Sequence, residues 1–484
     1  VSASAILICL VLYFAALMTV SWFTGRNSNN ESFFLANRKS PWYLIAFGMI
    51  GSSISGVTFI SVPGWVQSTG FTYFEVVLGY ILGYWIIAWV LMPVFYRMQL
   101  TSIYTYLKER FGVMGYKTGA VFFLISRIIG ASFRLYVAVE VLQISIFDKW
   151  HVPFILNAIV LVALIWLYTR KGGMKTIIWT DALQTFFLLA ALVGSIYLIS
   201  QSLHLSIGGL AQSIADSPYS KIFNWDVNSK QYFFKQFLSG VFIAIAMTGL
   251  DQDMMQKNLT CKTIGESQKN IISFSIVQAV VVFMFLVLGV LLYSYADFIH
   301  LPLPKKSDDL YPILATGGYL GTAVAFLFVM GLTAASFASA DSALTALTTS
   351  FCVDILDIRE KKQEEQLGIR KWVHVGMAIA LIVVIIIYQV INNPTIVSAV
   401  FTVAGYTYGP LLGLYAFGLL TKTKANDSWI PYICVMAPAM CFVLDKFSVE
   451  LLNGYHFGFE LLILNALLTF TGLLLSAVSL AQKR

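Results

Sequence analysis

Thirteen stretches of about twenty mostly apolar residues run through this chain, and nothing else in it restricts the fold so severely. They lie near 3–23, 42–66, 72–96, 117–147, 152–169, 175–200, 234–256, 270–296, 313–352, 372–390, 395–420, 429–444 and 459–481. A helix of that length crosses the hydrocarbon core of a bilayer with its backbone groups satisfied inside the segment. Only 11% of the 484 residues are charged, against about a quarter in a soluble domain. The expectation is an all-α polytopic membrane protein with about thirteen transmembrane helices and the lipid bilayer as its constant partner.

The net charge of +7 does not point to nucleic acid, because the basic residues are scattered among short loops. Their distribution sets topology instead. With the loop after the first span inside, 22 of the 31 basic residues fall on the inner side, which places the N-terminus outside and the C-terminus in the cytoplasm. A plasma membrane (cell inner membrane) location follows. The first apolar run is followed by GRNSNNES without a small-residue cleavage site and reads as an anchor. Cys9, Cys261, Cys352, Cys434 and Cys441 are isolated, and the five histidines are equally dispersed. No structural metal, haem or other organic cofactor is expected from them.

Three stretches interrupt the apolar pattern. In Gly331–Asp354, Ser336, Ser339, Ser342, Thr345 and Thr349 recur at steps of three or four with Asp341 in the same stripe. On a helix this makes one face of oxygens. Such a set suits a hard monovalent cation better than a transition metal. It also suits a polar seam between close-packed helices, although an ionisable group at membrane depth favours function. The second span, FGMIGSSISGVTFISVPGW, carries Gly51, Ser52, Ser53, Ser55 and Gly56 near its middle; the seventh, FIAIAMTGLDQDMMQK, carries Gly249, Asp251 and Asp253. They open two blocks of five spans, 42–200 and 234–420. Broken helices at matching positions in two halves point to the midplane site of a secondary transporter.

Six segments in order, FFLANRKSPW (33–42), GSSISGVTFISVPG (51–64), RKGGMKTIIWTDALQTFFLL (170–189), TGLDQDMMQKNL (248–259), AASFASADSALTALTTSFCVDIL (334–356) and VAGYTYGPLLGLYAFGLL (403–420), resemble the sodium:solute symporter family. That family includes bacterial sugar, proline and sialic acid transporters, and GVTFISVPG leans toward the sialic acid branch. The resemblance implies a LeuT-like fold with inverted five-helix repeats at 42–200 and 234–420. An extra helix and inner loop (1–41) precede them, an outer loop (201–233) separates them, and two extra helices (421–484) follow. It further implies Na⁺ as coupling ion, held by the Gly51, Ile54 and Ala335 carbonyls and the Ser339 hydroxyl. Where the family often has a hydroxyl pair this chain has Ala338, whose carbonyl is then expected to fill in. Some members bind a second sodium at the position of Asp181, with hydroxyls of the eighth core helix; Asp341 and Ser342 occupy that region here. The plainer reading of Asp181 is a helix cap near the inner interface.

Ser53, Ser55 and Thr58 are placed to hydrogen-bond a polar solute. By the resemblance Gln278, Glu75 and Thr402 fall near substrate positions, and Ala244 and Thr248 stand where sugar-type members have Asn and Trp. Arg127 and Arg134 share one span with Glu140. Each arginine is either a structural partner of a carboxylate or, if it faces the cavity, a fork for an organic anion. Asp251 and Asp253 form one DxD without a second acidic cluster, so they are expected to pair with Lys257 or neighbouring basic residues rather than to hold Mg²⁺ in an enzyme. The reading is a monomeric Na⁺-coupled symporter, not an enzyme, importing a sugar, sialic acid or related organic anion by alternating access. H⁺ coupling through Asp181 or Asp341, a substrate-sensing receptor, and a membrane-embedded enzyme are the alternatives.

Overall fold

The computed structural model describes residues 3–26, 29–227, 229–391, 396–451, 455 and 457–481. These residues form helices and connecting loops, with no β-sheet among them. In chain order the principal helices are α1 (Ala3–Thr24), α2 (Trp42–Ser53), α3 (Gly56–Thr69), α4 (Tyr73–Arg97), α5 (Val113–Leu142), α6 (Phe154–Thr169) and α7 (Met174–Ser202). There follow α8 (Phe233–Gly249), α9 (Gln252–Asn258), α10 (Ile264–Phe298), α11 (Gly321–Ile355), α12 (Gln363–Ile391), α13 (Ile396–Leu420), α14 (Ile430–Lys446) and α15 (Leu461–Ala481). Nine described helices are long and apolar enough to cross a membrane alone, or up to eleven if each of two bent pairs is one span. Each of the thirteen expected stretches meets a helix or a bent pair. The length criterion gives fewer because α6 and the apolar part of α15 are too short for it.

Both breaks fall where the Gly/Ser and Gly/Asp interruptions place them. Ile54 (ψ 92°) and Ser55 (ψ 169°) are extended, and α2 and α3 meet at a 63° bend. α8 and α9 meet at 72°, and the Asp251 carboxylate caps α9 by accepting from the amides of Asp253 (2.9 Å) and Met254 (3.3 Å). Such a side-chain acceptor stabilises a helix start by about 1 kcal/mol. Two details differ from the sequence reading. The expected 313–352 span is a short helix, Leu310–Thr316, and then α11, separated by a turn in which Gly318 (φ 88°) and Gly321 (φ 79°) take conformations that L side chains avoid. The expected outer loop carries a helix of its own, Ile207–Ala215, capped by Ser206.

α11 is the axis of the molecule. Every residue from Gly331 to Ser350 is buried, so the Ser/Thr stripe and the apolar face opposite are both enclosed by other helices. α7 packs along it, with α2, α3 and α5 also in contact. Close approach depends on two glycines. A Cβ at Gly51 would come within 2.5 Å of Thr185 Oγ1 on α7, and one at Gly56 would collide with Ser336 Oγ on α11. α12 and α14 lie at the periphery with most of their residues uncovered, as expected of lipid-facing spans.

Candidate functional site

The break between α2 and α3 faces the middle of α11. A helix end leaves its last carbonyls without intrahelical partners, and the ending of α2 at Ser53 frees the carbonyls around Gly51 and Ile54 in this way. Gly51 is fixed from the other side, its amide donating to Thr185 Oγ1 at 3.0 Å. Ala335, Ala338 and Ser339 are fully buried on α11, and Ser336 Oγ, against Gly56, is buried without a hydrogen-bond partner among the described residues. Uncharged oxygens around an unwound backbone fit a weakly held alkali cation. One expected ligand already has company: Ser339 Oγ accepts from Arg134 Nη1 at 3.1 Å.

Beside the break lies a cavity lined by Ser53, Ser55 and Thr58 from the broken segment, Gln278 from α10, and both Arg127 and Arg134 from α5. Ala244 and Thr248 of α8 also line it, with Trp65, Tyr73, Tyr80 and Tyr84 as aromatic walls. Gln278 Nε2 donates to Ser53 Oγ at 2.8 Å, while Gln278 Oε1 is left without a partner among the described residues. Glu75 does not line this cavity. It is turned to the outer loop, where Oε1 accepts from the amide of Asn224 at 2.8 Å. The side chain of Thr402 lies outside the described residues.

The two arginines differ in what neutralises them. Arg127 is ion-paired with Asp253 and lies 3.6 Å from Asp251, whose carboxylate also accepts from the Tyr408 hydroxyl. The DxD acids thus find their cation on α5, not in Lys257 as chain proximity had indicated. Arg134 forms no ion pair with a carboxylate among the described residues, Glu140 included, and donates instead to the Ser339 hydroxyl. The half-buried guanidinium of Arg134 opens onto the cavity without a carboxylate in ion-pair range among the described residues.

A second cluster joins Asp181, Asp341 and Ser342, the residues considered for a second cation. Ser342 Oγ lies 3.4 Å from Asp181 Oδ2 and 3.3 Å from Asp341 Oδ1. Tyr168 (2.7 Å) and Gln184 (3.4 Å) donate to Asp341 Oδ2. Asp181 is no helix cap: it sits in the second turn of α7, fully enclosed, and the ammonium of Lys257 is 2.7 Å from its Oδ2. Lys257, Tyr168 and Ser52 are members of the cluster that the sequence reading missed. Ser52 enters that reading only as part of the break and Lys257 only as a partner for the DxD acids; no local spacing joins any of the three to this cluster, since they arrive from α9, α6 and α2.

A family model described as the sodium:solute symporter family matches residues 33–428. The sodium/sialic acid symporter NanT of Aliivibrio fischeri is 25% identical over 474 residues, covering 93% of this chain and 89% of that protein. The human sodium-coupled monocarboxylate transporter 1 is 26% identical over 422 residues (82% of this chain, 65% of that one), and the human sodium/iodide cotransporter 24% over 410 residues (82% and 62%). The chain therefore spans just under two thirds of these human relatives. Among solved structures, a Na⁺-coupled sialic acid symporter in a substrate-bound outward-open state superposes with a TM-score of 0.81 at 19% identity over 99% of this chain and 98% of that one. A nucleobase-cation-symport-1 transporter gives 0.53 at 14% identity, over 94% of each chain.

Proposed function

The chain belongs to the sodium:solute symporter family, and from that premise we propose that the solute it carries with sodium is a small organic anion whose carboxylate is met by Arg134. It is a multi-pass membrane transporter with a LeuT-like fold, not an enzyme. The observation that carries the choice of an anion is the pairing of the two cavity arginines: Arg127 is answered by Asp251 and Asp253, and Arg134 by no acid among the described residues. A guanidinium fork held at low dielectric recognises a carboxylate in two parallel hydrogen bonds. Ser53, Ser55, Thr58 and Gln278 supply neutral hydrogen-bonding groups for the rest of the solute. An anionic cargo agrees with the relatives described above, which are sialic acid, monocarboxylate and iodide transporters.

Sodium is assigned to the Gly51, Ile54, Ala335 and Ala338 carbonyls and the Ser339 hydroxyl. A solute carboxylate that takes up the donors of Arg134 leaves Ser339 free to face the ion. Solute binding then strengthens sodium binding, and sodium strengthens solute binding by the same factor. Replacing Ser339 with Ala removes one oxygen contact and is expected to raise the sodium concentration for half-maximal uptake by about fivefold, close to 1 kcal/mol. Sodium titration of uptake into proteoliposomes checks this; an unchanged midpoint removes Ser339 from the site.

With the N-terminus outside and the chain in the plasma membrane, α3 is the outer half of the broken helix. The cavity runs along it through Ser61 to Trp65, on the outer side of the break, while α9, with every residue buried, lies on the inner side. The repeats are assigned to 42–200 and 234–420, and the transporter works as a monomer. The anion is tested by thermal-shift titration of the purified protein with a short monocarboxylate, a sialic acid and a neutral hexose, each with and without sodium. Sodium-dependent stabilisation by an acid and not by the hexose is the expected result; the reverse order overturns the assignment.

A further inference from the structure

The side chains of Lys257 and Asp181 keep 1% and 2% of their surface, and their charges lie 2.7 Å apart. The ammonium also donates to Ser52 Oγ, which in turn donates to the same carboxylate oxygen at 2.9 Å. Ser342 Oγ approaches that oxygen at 3.4 Å. Four helices, α2, α7, α9 and α11, therefore meet at one positive charge that belongs to the protein. We propose that Lys257 is the resident cation of the Asp181 pocket: its ammonium holds the place a second sodium ion would take, and sodium binds at the first site alone.

A buried carboxylate has to be paired with a cation or lose its charge, and here the partner is built in. An ammonium and a sodium ion are both compact monovalent cations that select oxygen, so the carboxylate and hydroxyls gathered here serve either. They do not serve both. A free ion within about 4 Å of the ammonium, at an effective dielectric near 20, is repelled strongly enough to weaken its binding roughly a thousandfold. The neighbouring Asp341 does not alter this: it is fully buried with only neutral donors, the Tyr168 hydroxyl, the Gln184 amide and Ser342, and no cation paired with it among the described residues, so by the same rule it carries no charge that would draw an ion in. A tethered cation also differs from a free one in what it does during transport. It is never released with the solute, and it ties α9, which follows the second break, to α2, which precedes the first.

The proposal rests on the sodium-coupled reading only for the ion at the first site, and counting ions separates the two. Equilibrium binding of radioactive sodium to the purified full-length protein in lipid nanodiscs, with no solute added, is expected to give one ion per chain. Lys257→Gln is expected to bind two, and Lys257→Gln/Asp181→Asn one again. Two ions on the wild-type chain overturn the proposal without any variant. So does a folded Lys257→Gln protein that still binds one; Lys257→Met, which keeps a similar stem volume, replaces it if the glutamine variant does not fold. A wild-type chain that binds none while the variant gains one upholds the resident lysine and overturns the sodium-coupled reading instead. No sodium on either protein overturns both.

Discussion

Arg134→Gln is expected to weaken binding of the anionic solute by about a hundredfold or more. Truncating one partner of a buried, hydrogen-bonded charge pair costs about 2–5 kcal/mol, and a loss of about 2.7 kcal/mol corresponds to two decades in affinity. Arg134→Lys keeps the charge but not the planar fork, and an intermediate loss of about tenfold is expected. The carboxamide analogue of the same solute, lacking the charge, should distinguish the wild type and Arg134→Gln far less. The variant has a second signature. Removing the guanidinium withdraws both a positive charge and a donor from Ser339, so sodium should bind the solute-free variant more tightly than it binds the solute-free wild type. Titrations of solute and of sodium on the purified protein measure both. A solute affinity within threefold of wild type would falsify the carboxylate assignment, and sodium affinity that falls instead of rising sinks the competition at Ser339.

Much of this arrangement could be read from the residues. Two glycines and three serines within Gly51–Gly56 cannot sustain a helix in the middle of a span unless something else satisfies the freed backbone, and the break is found there. A stripe of small hydroxyl residues on α11 allows neighbours to approach on every side, and that helix is the buried axis. What escaped the sequence was the choice of partners among buried charges. Asp253 and Lys257 stand four residues apart on α9, the spacing at which a surface helix would pair them. α9 has no surface, and its polar side chains reach to different neighbours: Gln252 to Ile103 and Thr101, Asp253 to Arg127, Gln256 to Thr349, Lys257 to Asp181. Which helix stands opposite each side chain is settled by the tertiary packing, and no periodicity within seven residues encodes it. Glu75 shows the same limit from the other direction. Its register on α4 turns it toward the outer loop and Asn224, away from the cavity that its place in the chain had suggested.

Arg127→Gln is expected to release α9 from the helices it packs against. The side chain of Arg127 keeps 6% of its surface, and Asp251 and Asp253 keep none. Removing the cation strands two carboxylates at low dielectric, a change that costs about 3–5 kcal/mol when a buried pair is broken from one side. The remaining Tyr408 hydroxyl serves Asp251 but not Asp253. The cheapest relief is for α9 to swing out and hydrate the acids, and Cys261, just beyond α9, reports on that motion. Its thiol is fully enclosed, and burial, followed by the charge of Glu266, pushes its pKa up to about 12, so little of the reactive thiolate is present near neutral pH. Opening should bring the thiol back toward its ordinary range and speed its labelling by a maleimide at least tenfold, followed at the Cys261 peptide by mass spectrometry. Adding Asp253→Asn to Arg127→Gln removes the more isolated of the two stranded charges. The double variant should therefore recover thermal stability and slow labelling relative to Arg127→Gln alone, and the cycle isolates the coupling between the two residues. If the two substitutions merely add, Arg127 and Asp253 do not act as a lock, and the seating of α9 must be credited to its other contacts.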